Sequence, residues 1–247
     1  MEKQTKILIC PDVHSRTFWK IVKKSDLPVI FLGDYLDPYD WEGYTSRDAI
    51  NNFKEILEFK KNNSDRVILL LGNHDSHYLG LSPDTCRMDL SNASEIYKLY
   101  KDNESLFRFA YKWNNTIFTH AGITTAWLDY HKYAEDYTVI EILNNQIHFT
   151  DIYLNDAKQY MSWGMGCQNC SISEIGYSRG GDYLNGSPIW ADVREMMNYS
   201  AFKGMYTQIF GHTQLENTGQ FIHQKNWYMC DSRAVFEWDG ENFKLFE

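Results

Sequence analysis

Five short apolar runs, each stopping at a small polar cluster, constrain this chain more than any other feature. KILIC (6–10) runs into Pro11, Asp12, Val13 and His14, and PVIFLG (28–33) runs into Asp34 and Asp37. RVILLLG (66–72) runs into Asn73, His74 and Asp75, NTIFTH (115–120) ends on His120, and YTQIFGH (206–212) ends on His212 and Thr213. The runs are bounded by turn formers and do not strictly alternate, so they read as strands buried on both faces. Between the first four lie Arg16–Lys24, Ser46–Lys61 and Ser91–Tyr111, each able to form a helix. Strands alternating with helices imply an α/β fold with a largely parallel core. Parallel strands put their carboxyl ends on one edge, where open α/β sheets bind ligands. The five clusters are therefore expected on one rim.

That rim collects Asp12, His14, Asp34, Asp37, Asn73, His74, His120 and His212. Carboxylates, imidazoles and an amide oxygen without a thiolate suit divalent Mn, Fe or Zn. In Asp12-Val13-His14, residues two apart on extended backbone point the same way and can hold one ion. There are more ligands than one ion needs, whereas two ions bridged by a carboxylate would use them all. Four of the eight histidines thus fall at strand ends; His77, His131, His148 and His223 are expected in the core or on the surface, with His77 adjoining the cluster. Asp75 is open between closing the turn after its strand and serving the site.

Composition limits the alternatives. The 247 residues suit one domain, or one carrying a sizeable insertion, and 43% hydrophobic with 16% aromatic content is ample for a core. A net charge of -9 lacks the overall field that bulk nucleic-acid binding needs, so an anionic substrate must be drawn by something local such as a metal. No run is long enough for a transmembrane span or a secretory signal, and a cytoplasmic setting is the expectation. Five cysteines do not read as a disulfide framework, and Cys167/Cys170, a lone C-x-x-C, is read as loop thiols.

The ordered blocks Asp12-Val13-His14, Gly33-Asp34-Tyr35-Leu36-Asp37, Gly72-Asn73-His74-Asp75, His120-Ala121-Gly122 and Gly211-His212-Thr213 resemble the calcineurin-like metallophosphoesterases. That family's pattern is D-x-H, G-D-x-x-D, G-N-H-D or G-N-H-E, a His often before Ala-Gly or Gly-Gly, and G-H-x-H or G-H-T. The resemblance implies an α/β sandwich of two mixed β-sheets flanked by helices (αββα), in a single domain, 1–247, with about 123–205 as a substrate-facing cap. It implies two divalent metals, manganese first among Mn, Fe and Zn. Asp12, His14 and Asp34 would hold the first; Asp34 would bridge to the second, completed by Asn73, His120 and His212. A metal-bridging hydroxide would attack phosphorus, with His74 as general acid and Asp37 fixing its tautomer and favouring its protonated form.

Gln214 stands where phosphodiesterases and nucleases of the G-H-x-H type place a second His. The G-H-T form looks like the phosphoprotein-phosphatase branch, which includes symmetrical dinucleoside-tetraphosphate hydrolases. SPIWADVRE (187–195) and CDSRAVFEWDG (230–240) are similar to segments of that branch. Pro38 and Leu71 stand where relatives carry phosphate-binding arginines, which makes Arg194 and Arg179 the candidate substitutes, with Arg47 and Arg233 behind them, each open between that role and a solvated surface arginine. The resulting expectation is a phosphomonoesterase acting on a phosphorylated small molecule, nucleotide or phosphoprotein. The alternatives are a phosphodiesterase or dinucleoside polyphosphate hydrolase, and a metal-binding protein without turnover.

Overall fold

All five apolar runs are strands in the computed structural model, which describes residues 5–81, 87–147 and 170–247. The first three form parallel neighbours: β1 (Ile7–Cys10), β2 (Val29–Phe31) and β3 (Val67–Leu70), with Ile9 opposite Ile30 and Ile30 opposite Ile68. The short β4 (Phe107–Arg108) extends this sheet beyond β3, and antiparallel β10 (Phe236–Trp238) and β11 (Phe243–Leu245) extend it beyond β1.

The fourth and fifth runs belong to a second sheet. There β6 (Thr116–Thr119) lies parallel to β7 (Thr207–Phe210), with β5 (Ala110–Trp113) outside β6. On the other side β7 pairs in parallel with β9 (Trp227–Met229), which is closed by β8 (Ile222–Gln224). The single rim expected from strand ends is therefore shared by two stacked sheets, both mixed, flanked by helices in the αββα arrangement. Ile7, Ile9, Ile30, Leu32 and Leu70 pack between the sheets against Phe118, Ile209 and Phe236. Their neighbours Leu8, Cys10, Val29, Phe31, Leu69 and Leu71 join the core beneath the helices. Alternate residues of a strand face opposite ways, so strands covered on both faces must be apolar throughout.

Helix α1 (Ser46–Asn62) starts where Thr45 and Asp48 cap each other: Asp48 N donates to Thr45 Oγ1, and Thr45 N to Asp48 Oδ2. Its buried Ile50, Phe53, Ile56, Leu57 and Phe59 recur at helical spacing. Two expected helices are corrected. Arg16–Lys24 holds a 3-10 helix, Phe18–Lys24. Ser91–Tyr111 holds α3 (Ala93–Lys101) and a 3-10 turn, Glu104–Leu106; Asn103 between them turns its amide back to Leu99 O (2.7 Å), and the chain then enters β4 and β5. Phe107, Phe109 and Tyr111 alternate with Arg108 and Lys112, a strand pattern that the preceding helix masked.

Within 123–205 the described elements are α4 (Thr125–His131), α5 (Thr138–Asn144) and α6 (Val193–Tyr199). Leu143 and Val139 of α5 join the main core, and Met196 of α6 packs on Phe210 and Met229 at the outer face of the second sheet. Cys170 is disulfide-bonded, which corrects the expectation of a loop thiol there; its partner sulfur and Cys167 lie outside the described residues, as does His148. No helix among the described residues is long and apolar enough to cross a membrane.

Candidate active site

The strand ends converge because the turns that follow them are bent sharply. His14, Asp34, Asp37 and His212 have φ of 42°, 52°, 57° and 67°, a left-handed region that side chains rarely adopt. Such strain costs on the order of 1–3 kcal/mol per residue and persists only where surrounding contacts over-determine it. Asp75 supplies much of that determination. Its Oδ2 accepts from Asp34 N (2.7 Å) and Gly72 N (2.7 Å), and its Oδ1 from Tyr35 N (3.0 Å) and the Tyr100 hydroxyl (2.5 Å). Its place is thus behind the turns, tying the second cluster to the third. Gly72 is needed for the same approach: a Cβ there would lie 2.2 Å from Asp34 Oδ1 and 2.8 Å from the His120 ring.

Around Asp34 the expected ligands are assembled. His14 Nδ1 lies 2.9 Å from Leu36 O and His120 Nδ1 2.8 Å from Leu32 O, so each Nδ1 donates and each Nε2 is left with a bare lone pair. Both lone pairs face Asp34 Oδ2, at 3.6 Å and 3.5 Å. His120 Nε2 also lies 2.9 Å from Asn73 Oδ1 and 3.1 Å from His212 Nδ1. Asp12 accepts from the main-chain N of His212 through both oxygens, at 3.0 and 3.1 Å. Asp12, Asp34 and His120 bring ligand atoms within 4.8 Å of one another, as do His14, Asp34 and His74. Acceptors turned toward one another in a buried space, with no proton between them, need a cation. Histidines fixed by main-chain carbonyls are also how metal ligands are held. Burial, then the charges of Asp12, Asp75 and Asp37, pushes the Asp34 carboxyl well above the ordinary range, a measure of how much positive charge this cluster wants. The donor set fits a pair of divalent ions.

His74 stands beside this group. Its Nδ1 lies 2.8 Å from Asp37 Oδ2, which fixes the tautomer and leaves Nε2 toward a cavity of about 630 Å³. Asp37 is saturated: the same Oδ2 is 2.9 Å from His77 Nε2, and Oδ1 accepts from the Tyr78 hydroxyl. Burial alone would raise Asp37, but the hydrogen bonds of His74 and His77 outweigh it and hold the carboxyl far below its usual range. His74 is held below the ordinary imidazole range by its burial, which exceeds the opposing pull of Asp37. Asp37 thus both fixes the tautomer and pulls toward the protonated imidazole, and burial outweighs that pull. His77 is neither plain core nor surface, since it shares the Asp37 carboxylate. His131 pairs with Glu174 (2.7 Å) and His223 stacks on Tyr228, both away from the site.

The arginines divide differently from the sequence reading. Arg179 lines the cavity but is tied to Asp192 Oδ2 (2.9 Å) and Thr213 Oγ1 (2.7 Å). Arg194 does not reach it: the side chain is 68% exposed and turned onto Asp192 Oδ1 (2.8 Å) and Ser178 O (3.1 Å). Arg47 pairs with Glu95 at the surface, and Arg233 donates to the main-chain oxygens of Leu215 and Glu216. Arg87 was not anticipated. It lines the cavity, with its guanidinium 3.6 Å from the centroid of the Tyr39 ring and Nη2 3.1 Å from His74 Nε2. No motif announces it. Asp231 was also missed, although β9 runs into it as the other strands run into their clusters, and it lines the same cavity with Oδ1 buried and unpartnered.

Residues 5–215 match the model of the calcineurin-like phosphoesterase family, and the chain belongs to that family. It is a metal-dependent phosphoesterase, and the family uses a dinuclear divalent-metal centre, for which the groups around Asp34 are candidates. Among solved structures, a protein serine/threonine phosphatase from Saccharomyces cerevisiae, with similarity to human phosphatase PP5, matches 97% of this chain and 74% of its own. The TM-score is 0.51 at 17% identity, a likeness of fold. A metallophosphoesterase from Sphaerobacter thermophilus matches 98% of this chain and 88% of its own, with a TM-score of 0.40 and 12% identity. No curated protein sequence matches significantly.

Proposed function

We propose that the protein is a phosphomonoesterase whose leaving group is protonated by His74. The observation that carries this reading is the His74–Asp37 pair: an imidazole fixed by a buried carboxylate at 2.8 Å, presenting Nε2 to the cavity beside the metal ligands. Holding metal alone requires neither residue. Asp12, His14 and Asp34 are assigned to one ion, and Asp34, Asn73, His120 and His212 to the other, with manganese the first choice for oxygen and imidazole donors. The position of Asp34 Oδ2 between the two imidazole lone pairs supports its bridging role. When bound, the pair supplies activated water and charge neutralisation at the phosphoryl oxygens.

The chain's own residues do the rest. Asp37 holds the His74 ring so that Nε2 can carry a proton to the departing oxygen. Trp190 walls the cavity edge-on to His212, at 6.0 Å between centroids, and Ile175 and Arg179 complete that side, which supports 123–205 as a substrate-facing segment. Restriction to monoesters is supported by Gln214, which stands in place of the second His of G-H-x-H and is not among the residues lining the cavity. The substrate class is a phosphorylated small molecule, nucleotide or phosphoprotein.

The test compares p-nitrophenyl phosphate, bis-p-nitrophenyl phosphate and a dinucleoside tetraphosphate as substrates of manganese-reconstituted protein. Monoester turnover at least tenfold above diester turnover is expected; comparable rates would refute the monoesterase reading.

A further inference from the structure

The site has metal ligands and an acid, but the arginine expected from sequence to meet the phosphate, Arg194, is turned away from the cavity and paired with Asp192. Arg179 is bound to Asp192 and Thr213, and Arg16, buried beside Tyr39, is held through Nε by Glu42 Oε1 (2.7 Å); its Nη1 and Nη2 are buried without a hydrogen-bond partner, but it does not line the cavity. Arg87 differs from all of these. It lines the cavity, its Nε and Nη1 are buried with no hydrogen-bond partner, and no ion pair is recorded for it among the described residues. His74 Nε2 and the Tyr39 side chain are the polar groups beside it, and the Tyr39 ring supports its guanidinium plane. Guanidinium donors buried without an acceptor are costly, and the ring at 3.6 Å offsets only part of that cost. Two donors thus wait in a cavity whose far wall is the metal-ligand cluster.

We infer that Arg87 is the residue that holds the substrate phosphate, an unpartnered N–H of Nε or Nη1 and the adjoining N–H of Nη2 taking two phosphoryl oxygens. The assignment rests on the phosphomonoesterase reading for the identity of the anion. A planar guanidinium presents paired N–H groups at the spacing of phosphate oxygens. Its Nη2 touches the proposed acid, so an anion in the fork that Nη2 shares with Nε or Nη1 lies beside His74 Nε2. Tyr39 is then a positioning residue that keeps the fork flat against the wall. Arg87 itself has φ 70°, so its backbone is bent to deliver the side chain there.

The test is binding of inorganic phosphate to manganese-reconstituted protein by calorimetry, together with steady-state kinetics on p-nitrophenyl phosphate. Arg87→Met keeps an apolar stem against Tyr39 and removes the charge; Arg87→Lys keeps the charge and loses the fork. Phosphate affinity and KM are expected to worsen at least tenfold in Arg87→Met and by less in Arg87→Lys, with melting temperature and metal stoichiometry unchanged. A folded, metal-replete Arg87→Met that binds phosphate and keeps KM as the parent does would overturn the assignment and leave the phosphatase reading standing. Arg87-dependent phosphate binding without turnover of any ester would sustain the assignment while the hydrolase reading fails. If Arg87→Met melts early, the Lys variant and Tyr39→Leu decide: unchanged phosphate affinity in both refutes the fork.

Discussion

Replacing Asp75 by Asn separates support of the site from chemistry within it. Asp75 is completely buried and accepts four donors, three of them main-chain N–H groups. An asparagine keeps one acceptor oxygen. Its better orientation leaves that oxygen on Asp34 N and Gly72 N, while the new amide donates to the rotatable Tyr100 hydroxyl and only Tyr35 N loses its acceptor. One orphaned buried N–H costs about 1–3 kcal/mol. The two surviving bonds lose their charge assistance, about 1 kcal/mol each. The sum is about 3–5 kcal/mol. At about 2–4 °C per kcal/mol for a chain of this size, the melting temperature should fall by roughly 6–20 °C. The measurement is thermal unfolding of chelator-treated protein, so that metal binding does not contribute. Tyr100→Phe removes a single donor and should cost only ~1 kcal/mol. A fall below about 3 °C for Asp75→Asn would refute the clamp, because four buried donors could not then depend on that carboxylate.

Other perturbations read other parts of the site. Gly72→Ala drives a methyl group into Asp34 and His120, and elemental analysis should find fewer than two metals per chain, with turnover reduced by 10²-fold or more. Adding manganese to stripped protein should raise the melting temperature through linkage, by about 2.7 kcal/mol of stability at a hundredfold excess over Kd; no rise would undercut the metal assignment. Asp37→Asn frees the His74 ring and should lower kcat about 10²-fold on an ester with a poor leaving group, and much less on p-nitrophenyl phosphate, which needs little protonation. Equal losses on both esters would show that Asp37 acts elsewhere. Arg194→Ala, at an exposed side chain clear of the cavity, should leave turnover unchanged and stability within about 0.5 kcal/mol.

The sequence carried the ligands and hid the scaffolding for a physical reason. A strand that must be covered on both faces has to be apolar throughout, so KILIC, PVIFLG and RVILLLG declare themselves, and the polar residue ending each run declares where the coverage stops. The division into two sheets leaves no such mark, because β6 and β7 obey the same burial rule as β1 to β3 whichever sheet they join. The strain at His14, Asp34, Asp37 and His212 is equally silent: an aspartate or histidine in the left-handed region looks like any other until the contacts forcing it there are seen. Its cause is written beside it, in Gly72 and Asp75, but as steric permission and hydrogen bonding across more than thirty residues. Arg87 is the extreme case. Relatives carry phosphate-binding arginines next to their strand ends, and here those places hold Pro38 and Leu71. An arginine that reaches the same cavity from a turn position beyond α2 (Asn73–Tyr78) has no periodicity or motif to mark it. Chemistry fixed to strand ends is thus readable from a chain, because burial patterning marks the ends. Substrate contacts supplied by loops are not, because a loop is free to deliver the same guanidinium from any sequence position that reaches.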